Sequence, residues 1–166
     1  LFGLVAKLRR WYWKSGPGRP HRLPVPVIVV GNITAGGTGK TPVVDWLAGV
    51  CRAAGFVPGI VSRGYGGRAR SLPHLVQPDD DPVEVGDEPL LLRRRTGVPV
   101  CICPDRIAAG KRLLAEGVDL IIADDGLQHY RLARDMEIAV VDGERRFGNG
   151  LLLPAGPLRE PPGRLA

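Results

Sequence analysis

The sequence predicts an α/β fold, a mostly parallel sheet with helices on both faces, preceded by an amphipathic helix. Three observations carry that expectation. Short β-branched runs alternate with segments of helical periodicity along most of the chain. Those runs are apolar at successive positions, as strands covered on both sides require. The first run leads through a glycine-rich turn directly into a helix. Alternation of this kind implies crossover connections and a parallel sheet.

The elements follow in chain order. Residues 1 to 20, "LFGLVAKLRRWYWKSGPGRP", place Leu1, Leu4, Val5, Leu8, Trp11 and Tyr12 at helical spacings with Lys7, Arg9, Arg10 and Lys14 beside or opposite them, and Gly16-Pro17 ends the helix. Charge interrupts the apolar part far short of the ~20 residues that cross a bilayer, and no signal-peptide cleavage pattern follows. Such a helix lies at a membrane interface, with Trp11, Tyr12 and Trp13 at headgroup depth and the basic residues on anionic lipid, or it packs on its own protein. The residues alone do not separate the two.

Past this arm, residues 25 to 30 ("VPVIVV"), 55 to 62, 98 to 103, 118 to 125 and 136 to 142 read as strands. Residues 40 to 54, 87 to 95 and 105 to 117 read as helices. The stretch "QPDDDPVEVGDEP" reads as a mobile acidic loop. Two units result: residues 1 to 20 as an amphipathic helix, for a membrane interface or for packing on its own protein, and 21 to 166 as one domain, expected to be incomplete because the chain begins without Met and stops at "PPGRLA".

Composition bounds the rest. With 166 residues, 44% hydrophobic and 24% charged, and with 23 Gly and 16 Pro, the chain reads as a soluble, turn-rich globular protein. Lys and Arg number 23 against 17 Asp and Glu, a net +6 that favours polyanionic partners without choosing among them. Cys51, Cys101 and Cys103 form no CxxC pair and lie in or beside apolar runs, which reads as reduced, buried thiols.

The stretch "VIVVGNITAGGTGKTP", residues 27 to 42, is the chemical centre of the sequence. Gly36, Gly37 and Gly39 let the backbone curl so that successive N–H groups point inward, and the helix that follows adds its positive end. Lys40 would reach the β- and γ-phosphates, and the Thr41 hydroxyl would ligate Mg²⁺. The nucleotide-binding set in this loop is Thr34, Gly36, Gly37, Thr38, Gly39, Lys40 and Thr41. One position departs from GxxxxGK[ST]: Thr34 stands where the first glycine belongs. The fold class is therefore P-loop NTPase-like. A second apolar run, "LIIADDGLQH", ends in Asp124 and Asp125, and one of the pair is expected to hold Mg²⁺; as bare residues they also suit a turn or helix cap.

The motifs "VGNITAGGTGKTP", "SRGYGG", "VGDEPLLL", Asp105-Arg106 and "ADDGLQHYRLARDMEIAVVDGERRFGNGLLLPAGPLREP" together resemble the tetraacyldisaccharide 4'-kinase (lipid A 4'-kinase) family of Gram-negative bacteria, over nearly all of the chain. In that family a Thr or Ser belongs at the position of Thr34. The resemblance implies a P-loop kinase that uses Mg-ATP to phosphorylate the 4'-hydroxyl of a tetraacylated glucosamine disaccharide 1-phosphate, forming lipid IVA at the cytoplasmic face of the inner membrane. A lipid substrate and a membrane surface are then the partners, and nucleic acid is not.

The resemblance also implies roles. Lys40 and Thr41 match the phosphate and metal residues, Asp124 or Asp125 with Gln128 the metal-side group, and Asp87 the catalytic aspartate, with Lys40 acting beside it. A sugar hydroxyl is a poor nucleophile, so a carboxylate that accepts its proton suits the step; Asp87 before Glu88-Pro89 is equally suited to cap a helix. The family pairs this aspartate with a histidine from a part of the protein that this chain does not contain, and His21, His74 and His129 stand at other positions. Arg63, Tyr65, Arg106, His129, Arg159 and Glu160 match site-lining positions; for Arg106 solvated surface charge is an equally ordinary role. The rival classes are a P-loop ATPase or GTPase switch and a nucleotide-binding module without catalysis. No NKxD-type tetrapeptide is present to read guanine, and no stacking aromatics interleave the basic residues of the domain body.

Overall fold

The computed structural model describes residues 2–37, 39–69 and 71–165. Its elements run α1 (Phe2–Lys14), β1 (Val27–Gly31), α2 (Lys40–Ala53), β2 (Pro58–Ser62), β3 (His74–Leu75), α3 (Pro82–Val85), α4 (Asp87–Thr96), β4 (Val100–Ile102), α5 (Arg106–Leu114), β5 (Leu120–Asp124), β6 (Met136–Ala139) and a 3₁₀ turn (Pro162–Arg164). The sheet order is β3-β4-β2-β5-β1-β6. Every pairing is parallel except that of β3 with β4.

Side chains alternate across a strand, so each continuous apolar run supplies two cores. Val29, Ile121 and Ala123 face the layer built with Ile107, Ala109 and Leu113 of α5. Val30, Leu120 and Ile122 face the layer built with Val44, Leu47 and Ala48 of α2 and Leu90 and Leu92 of α4. Burying Ile121 and Ile122 completely is worth about 2–3 kcal/mol each. One-sided alternation would have left one of these faces bare.

Register decides where chemistry can occur. Val30 pairs with Asp124 across β1 and β5, and Val61 of β2 pairs with Ala123. The carboxyl ends of the three central strands therefore end level, and the turn after β1 lies directly beside the Asp pair after β5.

The acidic stretch is more ordered than its composition suggests. Asp81 N-caps α3 by accepting from the Val83 N–H at 2.8 Å, and His74 Nε2 lies 2.7 Å from Asp80 Oδ2. Two negative charges are thus absorbed by a cap and a histidine instead of repelling one another. Strand β3 has two residues, too few to show a period.

In α1, Leu4, Val5, Leu8, Trp11 and Tyr12 are all exposed, at 43% to 60%. At 3.6 residues per turn they span an arc of about 120°. Gly3, Ala6, Arg10 and Trp13, on the other side, are the partly buried positions. The helix therefore rests on its domain through its small and mixed side and turns its apolar side outward. No helix among the described residues is long and apolar enough to cross a membrane. The three cysteines are buried and unbridged, and burial pushes the Cys101 thiol up to about 12.

Candidate nucleotide site

The turn after β1 is built on a residue that sequence reasoning passed over. Asn32 is fully buried at its base, and its side-chain amide donates to Thr34 Oγ1 (3.4 Å) and to the Gly36 carbonyl (3.5 Å). Lys40 Nζ donates to Asn32 Oδ1 at 3.5 Å. A buried amide holds its place only when its polar atoms are satisfied. Asn32 thereby joins the two ends of the loop. The signal was a lone Asn behind an apolar strand, where polarity should have stood out.

Gly36 (φ 103°) and Gly39 (φ 75°) adopt conformations that L side chains avoid. A Cβ at Gly36, Gly37 or Gly39 would meet nothing within 4 Å, so these three positions border open space. Thr34 is not in the left-handed region and needs no glycine. It forms an antiparallel bridge with Leu158, flanked by Ala35 N–H to Pro157 O and Arg159 N–H to Ile33 O, both 2.7 Å. The "PAGPLR" segment is thus the outer wall of the loop. Thr38 lies outside the described residues.

Charge converges at the open side. Asp125, at φ 49°, one of the non-glycine residues in the left-handed region, turns its carboxylate to Lys40 Nζ (3.6 Å) and Arg159 Nη1 (3.2 Å). Strain of this kind gathers at functional sites. Asp124 is 3% exposed and accepts from Ser62 Oγ at 3.4 Å. Burial, then Glu88 and Asp125, push its carboxyl up to about 6, against the pull of Lys40 and Arg106.

Arg106 is 4% exposed, which removes it from the surface charges. It donates to the Asp124 carbonyl (3.3 Å) and the Cys103 carbonyl (3.2 Å), and so clips the start of α5 to the end of β5. Gln128 Nε2 donates to the Asn32 carbonyl (3.0 Å) and to Glu160 Oε2 (3.1 Å), while Tyr130 OH donates to Glu160 Oε1. Gln128 and Glu160 therefore brace the loop from below, with Tyr130 as a third member that sequence reasoning did not include. Burial, with Arg106 next, lowers the His129 imidazole to about 4, so it is neutral at pH 7.

On the other flank, Gly86 (φ 89°, ψ 149°) is the N-cap of α4, and Asp87 is its exposed first residue. A Cβ on Gly86 would meet the Tyr65 carbonyl at 2.8 Å, and one on Gly67 would meet the Glu84 carbonyl at 2.5 Å. The "SRGYGG" loop, with exposed Arg63 and Tyr65, is thereby pressed against the junction that carries Asp87. That φ, ψ pair is open almost only to glycine. Gly86→Ala is expected to cost about 1–3 kcal/mol, read as a fall in Tm, and to reduce turnover by moving Asp87.

Buried Asp124 has a consequence for stability. Its folded-state pKa lies above the ordinary carboxylate value, so the native state favours the protonated form; that stabilisation is full below about pH 4 and is lost as pH rises through about 6. Asp124→Asn should therefore be more stable than wild type at pH 7, by about 2 kcal/mol, with the gap closing near pH 4. Urea titrations at both pH values check this.

A cavity of about 560 Å³ lined by Trp13, Arg22, Tyr130, Arg134 and Asp135 lies at the opposite ends of the strands, by the start of β6. Two of its arginines are already paired, Arg22 with Asp135 and Arg134 with Glu137. It forms no part of the loop's site.

With this geometry in place, the model of the tetraacyldisaccharide-1-P 4'-kinase family matches residues 1–166. The chain belongs to that family. It is 62% identical over 166 residues to the tetraacyldisaccharide 4'-kinase of Alkalilimnicola ehrlichii, covering 100% of this chain and 50% of that protein. Against the Nitrosococcus oceani kinase the identity is 57%, covering 99% and 49%. The crystal structure of the Aquifex aeolicus family member, in complex with ATP, superposes with a TM-score of 0.87 at 33% identity, over 99% of this chain and 52% of that one. The chain thus spans about half the length of the relatives it matches, and the family's P-loop kinase fold is complete enough within it to superpose.

Proposed function

We propose that this chain is the nucleotide-binding part of a kinase that transfers the γ-phosphate of ATP to the 4'-hydroxyl of a tetraacyldisaccharide 1-phosphate, forming lipid IVA. The observation that carries the reading is the meeting of Lys40, Arg159 and the Asp124–Asp125 pair at the open side of a glycine loop, in a member of this family. The loop amides and the start of α2 take the phosphates, and Lys40 and Arg159 offset charge as it shifts toward the leaving oxygen.

The donor set suits Mg²⁺: the Thr41 hydroxyl and the Asp124 and Asp125 carboxylates are hard oxygens. Mg²⁺ is ordinarily held by one or two carboxylates together with substrate phosphate. Asp125 is the more open of the pair, and Asp124 is braced by Ser62. When bound, the ion neutralises the β- and γ-oxygens.

Asp87 takes the proton of the 4'-hydroxyl as its oxygen bonds to phosphorus and the bond to the β,γ-bridging oxygen breaks, releasing ADP. Its exposure at the first position of α4 leaves it open to an acceptor. The substrate's four acyl chains keep it in the bilayer, and the outward apolar arc of α1 fits a protein that works on the cytoplasmic face of the inner membrane.

The test is transfer of ³²P from labelled Mg-ATP to tetraacyldisaccharide 1-phosphate in mixed micelles, with the chain extended to the length of its relatives. Labelled lipid supports the kinase. Phosphate released to water without labelled lipid identifies an ATPase.

A further inference from the structure

Apolar side chains turned to solvent occur at two places, and the helix that carries the first touches, through its opposite side, the turn that carries the second. One is the arc of α1, and the other is the turn at residues 147 to 153, where Leu151 is 51% exposed. Gly3 is the junction: a Cβ there would come within 2.7 Å of Leu152 Cδ1, so α1 begins flush against the turn.

The turn presents Leu151 from a fixed base. Phe147 and Leu152 pack on the α5-side core. The Leu151 N–H donates to Asn149 Oδ1 (3.1 Å), its carbonyl accepts from Leu158 (3.1 Å), and Asn149 Nδ2 donates to the Ala155 carbonyl (3.0 Å). Leu158 is also the residue that bridges Thr34, so the turn and the phosphate loop share one strap. Exposed Arg145 and Arg146 precede the turn, and residues 1 to 20 hold five basic side chains and no acidic one.

We propose that the turn at 147 to 153 is a second bilayer-contacting element set beside α1, with Leu151 seated among the acyl chains of an anionic membrane. Exposed apolar side chains on elements that also carry exposed arginines and lysines are what an interface of acyl chains and anionic headgroups takes up. A contact here, on the strap that walls the phosphate loop, sets the site's mouth at the depth where the sugar hydroxyl of a bilayer-held substrate emerges. This deepens the kinase reading and rests on it for the substrate's lipid nature.

The experiment places an environment-sensitive NBD label, in the full-length protein, at Leu151→Cys, Leu8→Cys or Glu116→Cys. Cys51, Cys101 and Cys103 are buried and leave the introduced thiol to react, and any cysteine in the rest of the full-length protein is first replaced by serine. With phosphatidylethanolamine–phosphatidylglycerol vesicles, labels at 8 and 151 are expected to brighten about threefold and to be quenched by doxyl-lipid, and the label at 116 to stay unchanged. Leu151→Asp is expected to weaken vesicle partition about fivefold without lowering Tm, because the side chain is exposed. A response at 8 with silence at 151 overturns the proposal and leaves the α1 contact standing. Silence at both overturns it as well, whatever the ³²P assay shows. A response at 151 without labelled lipid in that assay upholds the contact and removes the kinase reading.

Discussion

Replacing Lys40 with Met is expected to lower the rate of phosphoryl transfer by about 10³-fold or more, equivalent to about 4 kcal/mol of lost transition-state stabilisation. Lys40 Nζ stands 3.5 Å from Asn32 Oδ1 and 3.6 Å from Asp125 Oδ1, held where a phosphate above the loop would meet it. A cation positioned in advance costs no reorganisation at the moment of reaction. The methionine keeps most of the apolar stem and removes the ammonium, with its charge and its N–H donors. Single-turnover rates with saturating Mg-ATP measure the effect. If the Lys40→Met protein transfers phosphate within tenfold of wild type, the glycine loop is not where the γ-phosphate lies.

Asp87→Asn is the second large effect: turnover falls by about 10²- to 10⁴-fold, the range that a positioned general base contributes, while ATP affinity stays within about twofold. The structure separates this from helix capping. Gly86 occupies the N-cap, so Asp87 supports α4 only as a first-turn carboxylate, worth about 0.3–1 kcal/mol. A small change in Tm beside a large change in kcat is therefore the signature of a proton acceptor. Equal kcat in the two proteins would return Asp87 to the helix and leave deprotonation of the sugar to another group.

Much of the fold was legible because the strands are buried on both sides. Residues 25 to 30 and 120 to 123 are apolar at every position, and the structure spends successive residues, Val29 and Val30 or Ile121 and Ile122, on opposite cores. The phosphate loop was legible for a different reason: glycines at 36 and 39 mark left-handed backbone, and Lys-Thr after them has few other uses. Arg106 and Asn32 were harder. Both are polar residues whose burial depends on partners distant in sequence, the Asp124 carbonyl for one and the Gln128 amide for the other. The same holds for Tyr130 and Glu160, thirty residues apart and joined only in three dimensions. In α1 the apolar stripe was evident, but periodicity reports that a face exists and not which way it turns. The charge of the acidic stretch predicts mobility, but the Asp81 cap, the Asp80 carboxylate against His74 and the Gln77 N–H, and Arg94 donating to the Pro78 carbonyl tie it down, contacts that charge alone does not foresee.

The bridge between Thr34 and Leu158 sets an order of events during synthesis. The loop residues leave the ribosome early, yet their outer wall is made more than a hundred residues later. At ~5–20 residues per second the interval is about 6–25 s, during which the Ile33 carbonyl and the Ala35 N–H await the chain partners they have in the finished protein. A nascent chain halted short of Pro157 would carry the entire glycine motif without its wall, so the finished shape of the loop arrives late and almost at once, long after the motif itself has been translated.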